Sequence, residues 1–333
     1  MTPTDPILSG NRLALSRLLT QVENDTPEGR AALAELFPHT GQAHLIGVTG
    51  APGTGKSSLV NQIALRYRKQ DQRVAIVAVD PSSPFTGGAV LGDRVRMRDL
   101  SGDPGVFIRS MASRGSLGGL AQATASVVQA FDAAGFEVIL IETVGAGQAE
   151  VDIARLAHTT LVVEAPGLGD DVQAIKAGIL EIADILVVNK ADRPGVESTE
   201  RALRGMLELA HPIKRVFMHH GQRMEVPGSE ADAQTPLWIA PIQRTVATEG
   251  TGIPELVEAI ARHAAHLRAT GDWQARERAR IESELEIHIQ ETLMSRFRQD
   301  VPNERYQAVL SRLIERQISP WEAVSALLNG RSK

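Results

Sequence analysis

The chain has 333 residues, 43% of them hydrophobic and 23% charged, which suffices for one large domain with extensions or two modest domains. The formal net charge of -5 at pH 7 excludes a broad basic field, so we expect neither a nucleic-acid nor a membrane partner. The absence of cysteine excludes disulfides, thiolate catalysis and thiolate metal sites.

Residues 1–42 are predicted to form an N-terminal helical extension made of two helical segments. The second segment begins at Thr26 and Pro27, because threonine caps helix N-termini and proline is well tolerated at the first helical position. The N-terminus lacks the charged-then-apolar order of a secretory signal, and no apolar run approaches membrane-spanning length. We therefore expect a cytoplasmic protein.

Residues 43–265 alternate short apolar runs with longer helix-like segments. Continuous apolar strands separated by amphipathic helices are typical of a parallel sheet covered on both faces. This region is therefore predicted to be an α/β domain with a doubly wound, mostly parallel sheet. The seven predicted strands are AHLIGVT, RVAIVAV, GVFIRS, FEVILIE, TTLVVEA, DILVVN and PLWIAPI.

Residues 47–58, GVTGAPGTGKSS, contain the full GxxxxGK[ST] pattern between an apolar strand and a helix. Glycines let backbone N–H groups surround phosphate oxygens, Lys56 neutralises the β- and γ-phosphates, and Ser57 offers an oxygen to Mg²⁺. The alternative is a glycine-rich turn that merely contains lysine, which the four fixed positions disfavour. We predict a nucleoside triphosphate site formed by Gly50, Pro52, Gly53, Thr54, Gly55, Lys56, Ser57 and Ser58.

Residues 79–97, VDPSSPFTGGAVLGDRVRM, form an irregular segment directly after the second predicted strand. Both ends of such a segment can reach the phosphate side of the fold, so Asp80 and Asp93 are candidate groups for the magnesium shell. The intervening residues are a candidate loop that nucleotide orders. The alternative for Asp80 is a turn opener, which is common for Asp before Pro.

The strand VILIE ends in Glu142, and Gly145 follows three residues later. P-loop enzymes hold Mg²⁺ with an acidic residue at this strand end, and a glycine here lets a backbone N–H reach the γ-phosphate. Because glutamate replaces the more usual aspartate, we expect contact through a water. Lys56, Mg²⁺ and the Gly145 amide are the expected stabilisers of γ-phosphoryl charge, whereas Gln148 either positions the attacking water or is structural.

The segment ILVVNKAD ends a predicted strand with Asn189, Lys190 and Asp192. A carboxylate in the base plane accepts from N1–H and the 2-amino group of guanine, which adenine does not offer, so Asp192 selects guanine. Asn189 is expected to tie the base-binding loops together, and the Lys190 stem to lie along the base. The late segment TVATEGTGI, with Val246 and Ala247, is expected to close over the base.

Residues 266–333 contain no predicted strand. In a long charged segment, apolar residues recur in steps of four and draw one stripe along a helix. The stripe either packs on the chain's own domain or forms a dimerisation arm, and its narrow width and charged flanks favour the arm. Two further helices follow, the second capped by Ser319 and Glu322. The stripe consists of Ile281, Leu285, Ile289, Leu293 and Phe297.

The motifs together resemble the MeaB/ArgK-type GTPases, the family that includes the methylmalonic aciduria type A protein. The resemblance covers nearly the whole chain, and SSPFTGGAVLGDRVRM is its most specific part. It implies a homodimeric, GTP-hydrolysing chaperone that gates adenosylcobalamin loading into an adenosylcobalamin-dependent acyl-CoA mutase and protects or reactivates that mutase. An adenosyltransferase is a further possible partner, and the implied cofactors are GTP, GDP and Mg²⁺.

The same resemblance assigns roles to particular residues. It implies that residues 80–97 are switch I, 142–155 switch II and 165–177 a third switch that communicates with the mutase. Lys176 in the third switch either reaches phosphate or a partner carboxylate or is simply solvated. The residues that it implies for catalysis are Lys56, Asp93, Arg96, Glu142 and Gly145, and those for the magnesium environment are Ser57, Asp80, Asp93 and Glu142.

Two other functions are compatible with a P-loop. A nickel-insertion GTPase is one, although such proteins need cysteine or clustered histidine, and here only His219 and His220 adjoin. An ATP-dependent kinase of a transport component is the other, and Asp192 argues against it. A slow basal GTPase, completed only when the partner binds, is the expectation from the residues present.

Overall fold

The structure is a computed structural model, and the chain divides into two compact units, Met1–Arg280 and Ile281–Lys333. No helix in the described part of the chain is long and apolar enough to cross a membrane. The residues that the structure describes are 4–81, 97–100, 102–113, 119–143, 155–167, 182–210, 216–219, 222–225 and 237–328.

A seven-stranded sheet forms the centre of the first unit, and all of its strands are parallel. The predicted doubly wound α/β class is confirmed. The strands are β1 (His44–Thr49), β2 (Val74–Pro81), β3 (Val106–Ser113), β4 (Val138–Thr143), β5 (Thr159–Glu164), β6 (Ile185–Val188) and β9 (Ile242–Arg244), in the order β3-β2-β4-β1-β5-β6-β9. A separate antiparallel pair, β7 (Val216–His219) and β8 (Gln222–Glu225), was not predicted.

The predicted seventh strand is wrong in its bounds. The sequence places it at 236–242, whereas the observed strand is Ile242–Arg244. Pro241 has no N–H to donate to a strand ladder, and only its carbonyl takes part, accepting from the backbone of Leu186. The apolar Trp238 instead donates its indole N–H to the carbonyl of Asp184, 2.8 Å away. A continuous apolar run therefore marked the approach to the strand rather than the strand.

Helices cover both faces of the sheet. On one face, α2 and α3 pack with α5, and Leu18, Leu19 and Phe131 are fully or almost fully buried there. The predicted start of α3 is confirmed, because the Thr26 hydroxyl accepts a 3.1 Å hydrogen bond from the backbone of Gly29. The helices of the first unit are α1 (Asp5–Leu8), α2 (Arg12–Glu23), α3 (Pro27–Leu36), α4 (Lys56–Arg68), α5 (Gly119–Ala133), α6 (Val196–Ala210) and α7 (Ile253–Thr270), with 3₁₀ turns at Phe37–His39 and Arg98–Leu100.

Three helices follow the sheet domain, as predicted: α8 (Asp272–Asp300), α9 (Asn303–Ile314) and α10 (Pro320–Leu328). The capping box of α10 forms, since Glu322 accepts from the Ser319 backbone at 2.7 Å and the Ser319 hydroxyl accepts from the Glu322 backbone at 3.3 Å. The apolar stripe on α8 is largely open to solvent, with exposed fractions of 42% for Ile281, 58% for Leu285, 48% for Ile289 and 58% for Leu293.

The first turns of α8 are joined to the amino-terminal edge of the sheet by a partly buried ion pair. Arg276 donates two 2.8 Å hydrogen bonds to the carboxylate of Asp184, the residue that precedes β6. Asp184 also accepts from the backbone of Thr160 at 2.8 Å and lies 3.2 Å from the Nε2 of His263 on α7. One carboxylate thus connects α7, α8 and the starts of β5 and β6.

A second set of polar contacts between the sheet and α8 surrounds His158. Its Nδ1 accepts from the backbone of Leu45 at 3.0 Å, so the ring proton is on Nε2, which donates to the carboxylate of Glu277 at 2.5 Å. The ring stacks on Trp273 with a centroid distance of 3.9 Å. His158 is therefore held as a neutral imidazole between β1 and α8.

At this amino-terminal edge of the sheet, burial and hydrogen bonding shift the pKa values of several side chains. Burial, with the nearby charge of Arg268, lowers the pKa of His44 to about 3. Burial likewise lowers the pKa of His158, and the Glu277 carboxylate opposes this only in part. Burial would raise the pKa of Glu277, but hydrogen bonds from His158 and Arg280 lower it to about 2. The folded chain therefore favours neutral histidines beside ionised carboxylates.

These shifts predict that the protein loses stability as the pH falls below about 6.5, where unfolded histidine gains a proton. The folded chain keeps His44 and His158 neutral, so the unfolded state binds more protons and the free energy of unfolding drops by up to about 1.4 kcal/mol per pH unit for each histidine. Urea unfolding at pH 7.5, 6.5, 5.5 and 5.0 measures this slope. His44→Gln should flatten it, and His39→Gln, whose side chain is exposed, serves as the control. Identical slopes in all three proteins would contradict the assignment.

Candidate nucleotide-binding site

The loop between β1 and α4 has the backbone geometry that the GxxxxGK[ST] pattern requires. Gly50 has φ of 136°, and a Cβ there would lie 2.1 Å from the carbonyl oxygen of Val163 on the neighbouring strand. Gly55 has φ of 91°, and its Cβ would lie 2.6 Å from the side-chain nitrogen of Asn189. Any side chain at either position would therefore clash with a neighbour or strain the backbone. The loop therefore packs directly against Val163 of β5 and against the side chain of Asn189.

Lys56 is the first residue of α4, and its side chain is only 6% exposed. Its ammonium group donates to the carbonyls of Gly50 at 2.7 Å and Ala51 at 3.0 Å, so it lies across the loop. The Thr54 hydroxyl donates to the same Ala51 carbonyl at 3.0 Å. A cation held inside a loop at a helix N-terminus forms an anion site, since the helix dipole and free backbone N–H groups add to its charge.

Ser57 and Glu142 bring two oxygen ligands together at the same edge. The Ser57 hydroxyl donates to the carboxylate of Glu142 at 2.7 Å, and the two residues are 7% and 5% exposed. Adjacent ligands of an octahedral Mg²⁺ lie about 3 Å apart, so this spacing and donor chemistry fit that ion. The residues present can therefore hold Mg²⁺, with Ser57 and Glu142 either direct or water-mediated ligands.

The strand register explains why these groups meet. Val48 of β1 pairs with Glu142 of β4, and both strands run in the same direction. The next residues, Thr49 and Thr143, join their hydroxyls across the two strands at 3.1 Å. Because parallel strands end at one edge, the loop after β1 and the acid at the end of β4 face the same space.

Asn189 connects the phosphate loop to the segment that follows β9. Its side-chain NH₂ donates to the carbonyl of Thr54 at 2.8 Å, and its side-chain oxygen accepts from the Thr245 hydroxyl at 3.0 Å and the Ala247 backbone at 3.1 Å. Asn189 is 2% exposed. Asn189 thus joins the 245–247 segment to the phosphate loop.

Lys190 extends from the same turn over the phosphate loop. Its backbone has φ of 56°, and its ammonium group donates to the carbonyl of Gly53 at 2.6 Å. Asp192 is exposed two residues later, and Val246 bridges to Thr251, its backbone N–H donating at 3.0 Å. The turn at Asn189 and Lys190 thus links Gly53 of the phosphate loop to the 245–247 segment.

The structure describes some of the remaining candidate residues, and the others lie outside the described ranges. Pro52 and Gly53 are exposed in the loop, and Ser58 is partly buried in the first turn of α4. The backbone of Asp80 lies at the carboxyl end of β2, two residues beyond Ala78, which pairs with Glu142. The proposed roles of Asp93, Arg96, Gly145, Gln148 and Lys176 fall on residues outside the described ranges.

Two contributors were not singled out from the sequence. The Thr54 carbonyl receives the Asn189 side chain, and no sequence signal marks a backbone acceptor. The Thr245 hydroxyl also bonds Asn189, and its only signal was its place in the TVATEGTGI segment. Among the residues that the structure describes, no group of three or more His, Cys, Asp or Glu is arranged to hold a metal ion.

Comparisons with known proteins indicate the family of the chain. The family model described as methylmalonyl Co-A mutase-associated GTPase MeaB matches residues 15–301. A protein of Pyrococcus abyssi, named provisionally as a GTPase, is 42% identical over 320 residues, covering 96% of this chain and 93% of its own. The mitochondrial methylmalonic aciduria type A homolog of Caenorhabditis elegans is 28% identical over 306 residues, 87% of this chain and 72% of its own. A solved structure described as LAO/AO transport system kinase matches with a TM-score of 0.69 and 25% identity, covering 98% of this chain and 95% of its own.

Removing the Asn189 side chain is expected to loosen the site. Asn189→Ala leaves the buried Thr54 carbonyl and Ala247 N–H without their partner, which should lower the free energy of unfolding by about 2–4 kcal/mol. Urea unfolding of the nucleotide-free protein measures this loss. Thr245→Val removes one of the three bonds and should cost about 1 kcal/mol. A loss in Asn189→Ala no larger than in Thr245→Val would show that the bridge does not hold the loops.

Proposed function

Because the chain belongs to the MeaB family of methylmalonyl-CoA mutase-associated GTPases and is itself a GTPase, we propose that it serves as the chaperone of an adenosylcobalamin-dependent acyl-CoA mutase. In this role it gates loading of adenosylcobalamin into the mutase, protects the mutase and helps to reactivate it. The observation that carries the proposal is the family match over residues 15–301. The C. elegans relative, named for methylmalonic aciduria type A, supports it.

We assign the nucleotide chemistry to residues of the candidate site described above. The chain binds guanine nucleotide, and its Lys56 ammonium is the group that can pair with β- and γ-phosphate oxygens as charge develops during hydrolysis. Mg²⁺, when bound, neutralises phosphate charge, and we propose Ser57 and Glu142 as its protein contacts. Asn189 holds the 245–247 segment, which we propose to lie beside the base, against the phosphate loop. The same side chain therefore positions both the base-binding and the phosphate-binding residues.

Several finer assignments belong to the same proposal. Asp80, Asp93, Arg96 and Gly145 are proposed to complete the magnesium and γ-phosphate environment when the switches order. The exposed stripe of α8 supports a homodimer formed through the C-terminal helices. A cytoplasmic location and contact with an adenosyltransferase complete the proposal, the former supported by the cysteine-free composition.

Base specificity is tested at Asp192. Asp192→Asn should weaken GTP binding and favour xanthosine triphosphate, because an amide can donate to the 2-oxo group of xanthine but cannot accept from both guanine N–H groups. Isothermal titration with GTP, ATP and xanthosine triphosphate measures the change, which should be tenfold or more, at about 1.4 kcal/mol per tenfold. Asp71→Asn, at an exposed aspartate three residues beyond the end of α4, is the control.

An unchanged GTP affinity in Asp192→Asn would remove the base-recognition argument. The ATP arm of the same titration separates the transport-kinase alternative, which requires ATP to bind at least as well as GTP. A nickel titration of the same protein separates the metal-insertion alternative.

The chaperone role is tested by single-turnover GTP hydrolysis with and without methylmalonyl-CoA mutase. We expect slow hydrolysis alone and faster hydrolysis with the mutase, because a partner completes the catalytic groups. Lys56→Ala should abolish both rates, which controls for contaminating phosphatase. Equal rates with and without that mutase and with isobutyryl-CoA, ethylmalonyl-CoA and 2-hydroxyisobutyryl-CoA mutases would contradict the proposal.

A further inference from the structure

A cavity of about 730 Å³ lies in the first unit, away from the phosphate loop. It is bordered by the end of α4, by one side of α7 and by the residues that begin β1 and β4. Its size falls in the range of small-molecule sites. Arg66 stands ten residues after Lys56 on α4, so the cavity lies about 15 Å along that helix from the phosphate site, at 1.5 Å per residue.

Two side chains in this cavity have donor groups that no described residue uses. The guanidinium of Arg66 takes part in no hydrogen bond or ion pair with a described residue, and its Nε is fully buried. Tyr67 is 6% exposed, and its hydroxyl likewise has no hydrogen bond to a described residue. Burial raises the pKa of that hydroxyl well above its usual range, so it stays protonated and can donate. A buried polar group without a partner is costly, so the guanidinium of Arg66 points to a ligand.

A second cation lines the same space. Arg268 places its guanidinium over the ring of Trp273, with the carbon 4.2 Å from the ring centroid, and a ring contact leaves its N–H groups able to donate. His44 also lines the cavity; its Nε2 contacts the Thr159 hydroxyl at 2.8 Å, and its Nδ1 has no hydrogen bond to a described residue. Two guanidinium groups and a hydroxyl therefore border one cavity.

The carboxylates of the cavity limit what can enter it. Glu258 pairs with Arg262 at 3.2 Å, and Glu137 accepts from the backbone of Arg73 at 2.9 Å, so both are partly satisfied. Glu255 lies in the first turn of α7. These acids disfavour a highly charged polyanion and can accept hydrogen bonds from hydroxyl or ammonium groups. The cavity suits a molecule with one anionic group and a polar body.

We propose that this cavity binds a small organic acid, whose carboxylate or phosphate group pairs with Arg66 and Arg268 and accepts a hydrogen bond from Tyr67. Guanidinium groups pair with either oxyanion through parallel N–H bonds, so the chemistry is shared by carboxylates and phosphates. The site is separate from the nucleotide site and does not depend on the mutase role.

The test uses the full chain saturated with GDP and Mg²⁺, so that the phosphate loop is filled before the probe is added. Succinate and inorganic phosphate are titrated separately at constant ionic strength, and binding is followed by calorimetry and by tryptophan fluorescence. We expect saturable one-to-one binding of at least one probe, with a fluorescence change because Arg268 lies over Trp273. The probe that saturates identifies which oxyanion the site prefers.

Three variants decide whether the probe occupies this cavity. Arg66→Gln should weaken binding by tenfold or more, because it removes a charge-assisted pair with the anionic group. Tyr67→Phe removes only a hydroxyl and should weaken it severalfold, which keeps the test valid if Arg66→Gln fails to fold. Arg201→Gln, on the exposed face of α6, should bind as the unaltered protein does. No saturable binding of either probe, or unchanged binding in both cavity variants, would overturn the proposal.

Discussion

The side chain of Asn189 is the contact on which the nucleotide site depends. It joins the Thr54 carbonyl, 135 positions earlier in the chain, to the Ala247 backbone, 58 positions later. The parallel sheet makes this possible, because β1 and β6 both pair with β5 and all three strands end at one edge. An amide can serve both loops, since it donates from nitrogen and accepts at oxygen. The phosphate loop and the 245–247 segment are thereby joined in one hydrogen-bonded structure.

The same short strand carries a second polar group at its other end. Asp184 precedes β6 and Asn189 follows it, with the four buried residues Ile185–Val188 between them. Asp184 takes two hydrogen bonds from Arg276, at the start of the helix that leads into the C-terminal region. Burial would raise the pKa of the Asp184 carboxyl, but hydrogen bonds from His263 and Arg276 hold it below its usual range. β6 is thus fixed at both edges by buried polar contacts rather than by apolar packing alone.

The burial of charge distinguishes the two ends of α4. Lys56, at the first turn, directs its charge into loop carbonyls, where phosphate oxygens can replace or join them. Arg66, near the last turn, has its Nε buried without a described partner. Since a buried donor without an acceptor costs about 1–3 kcal/mol, the two ends place different demands on what binds there. One helix thus runs from the phosphate loop to the cavity that Arg66 borders.

The sequence by itself determined the fold class, the phosphate loop, the Asn189 turn and the caps at Thr26 and Ser319, because each depends on local spacing and on residue types with fixed chemistry. It misplaced the last strand of the sheet, because the prediction followed the apolar run and did not weigh Pro241, which lacks the N–H that a strand ladder needs. Only the tertiary structure decided that Asn189 reaches Thr54, that Arg276 and Glu277 dock on Asp184 and His158, and that Arg66 ends in a cavity. Those contacts join residues far apart in the chain, and their distances depend on strand order and register, which no local pattern encodes.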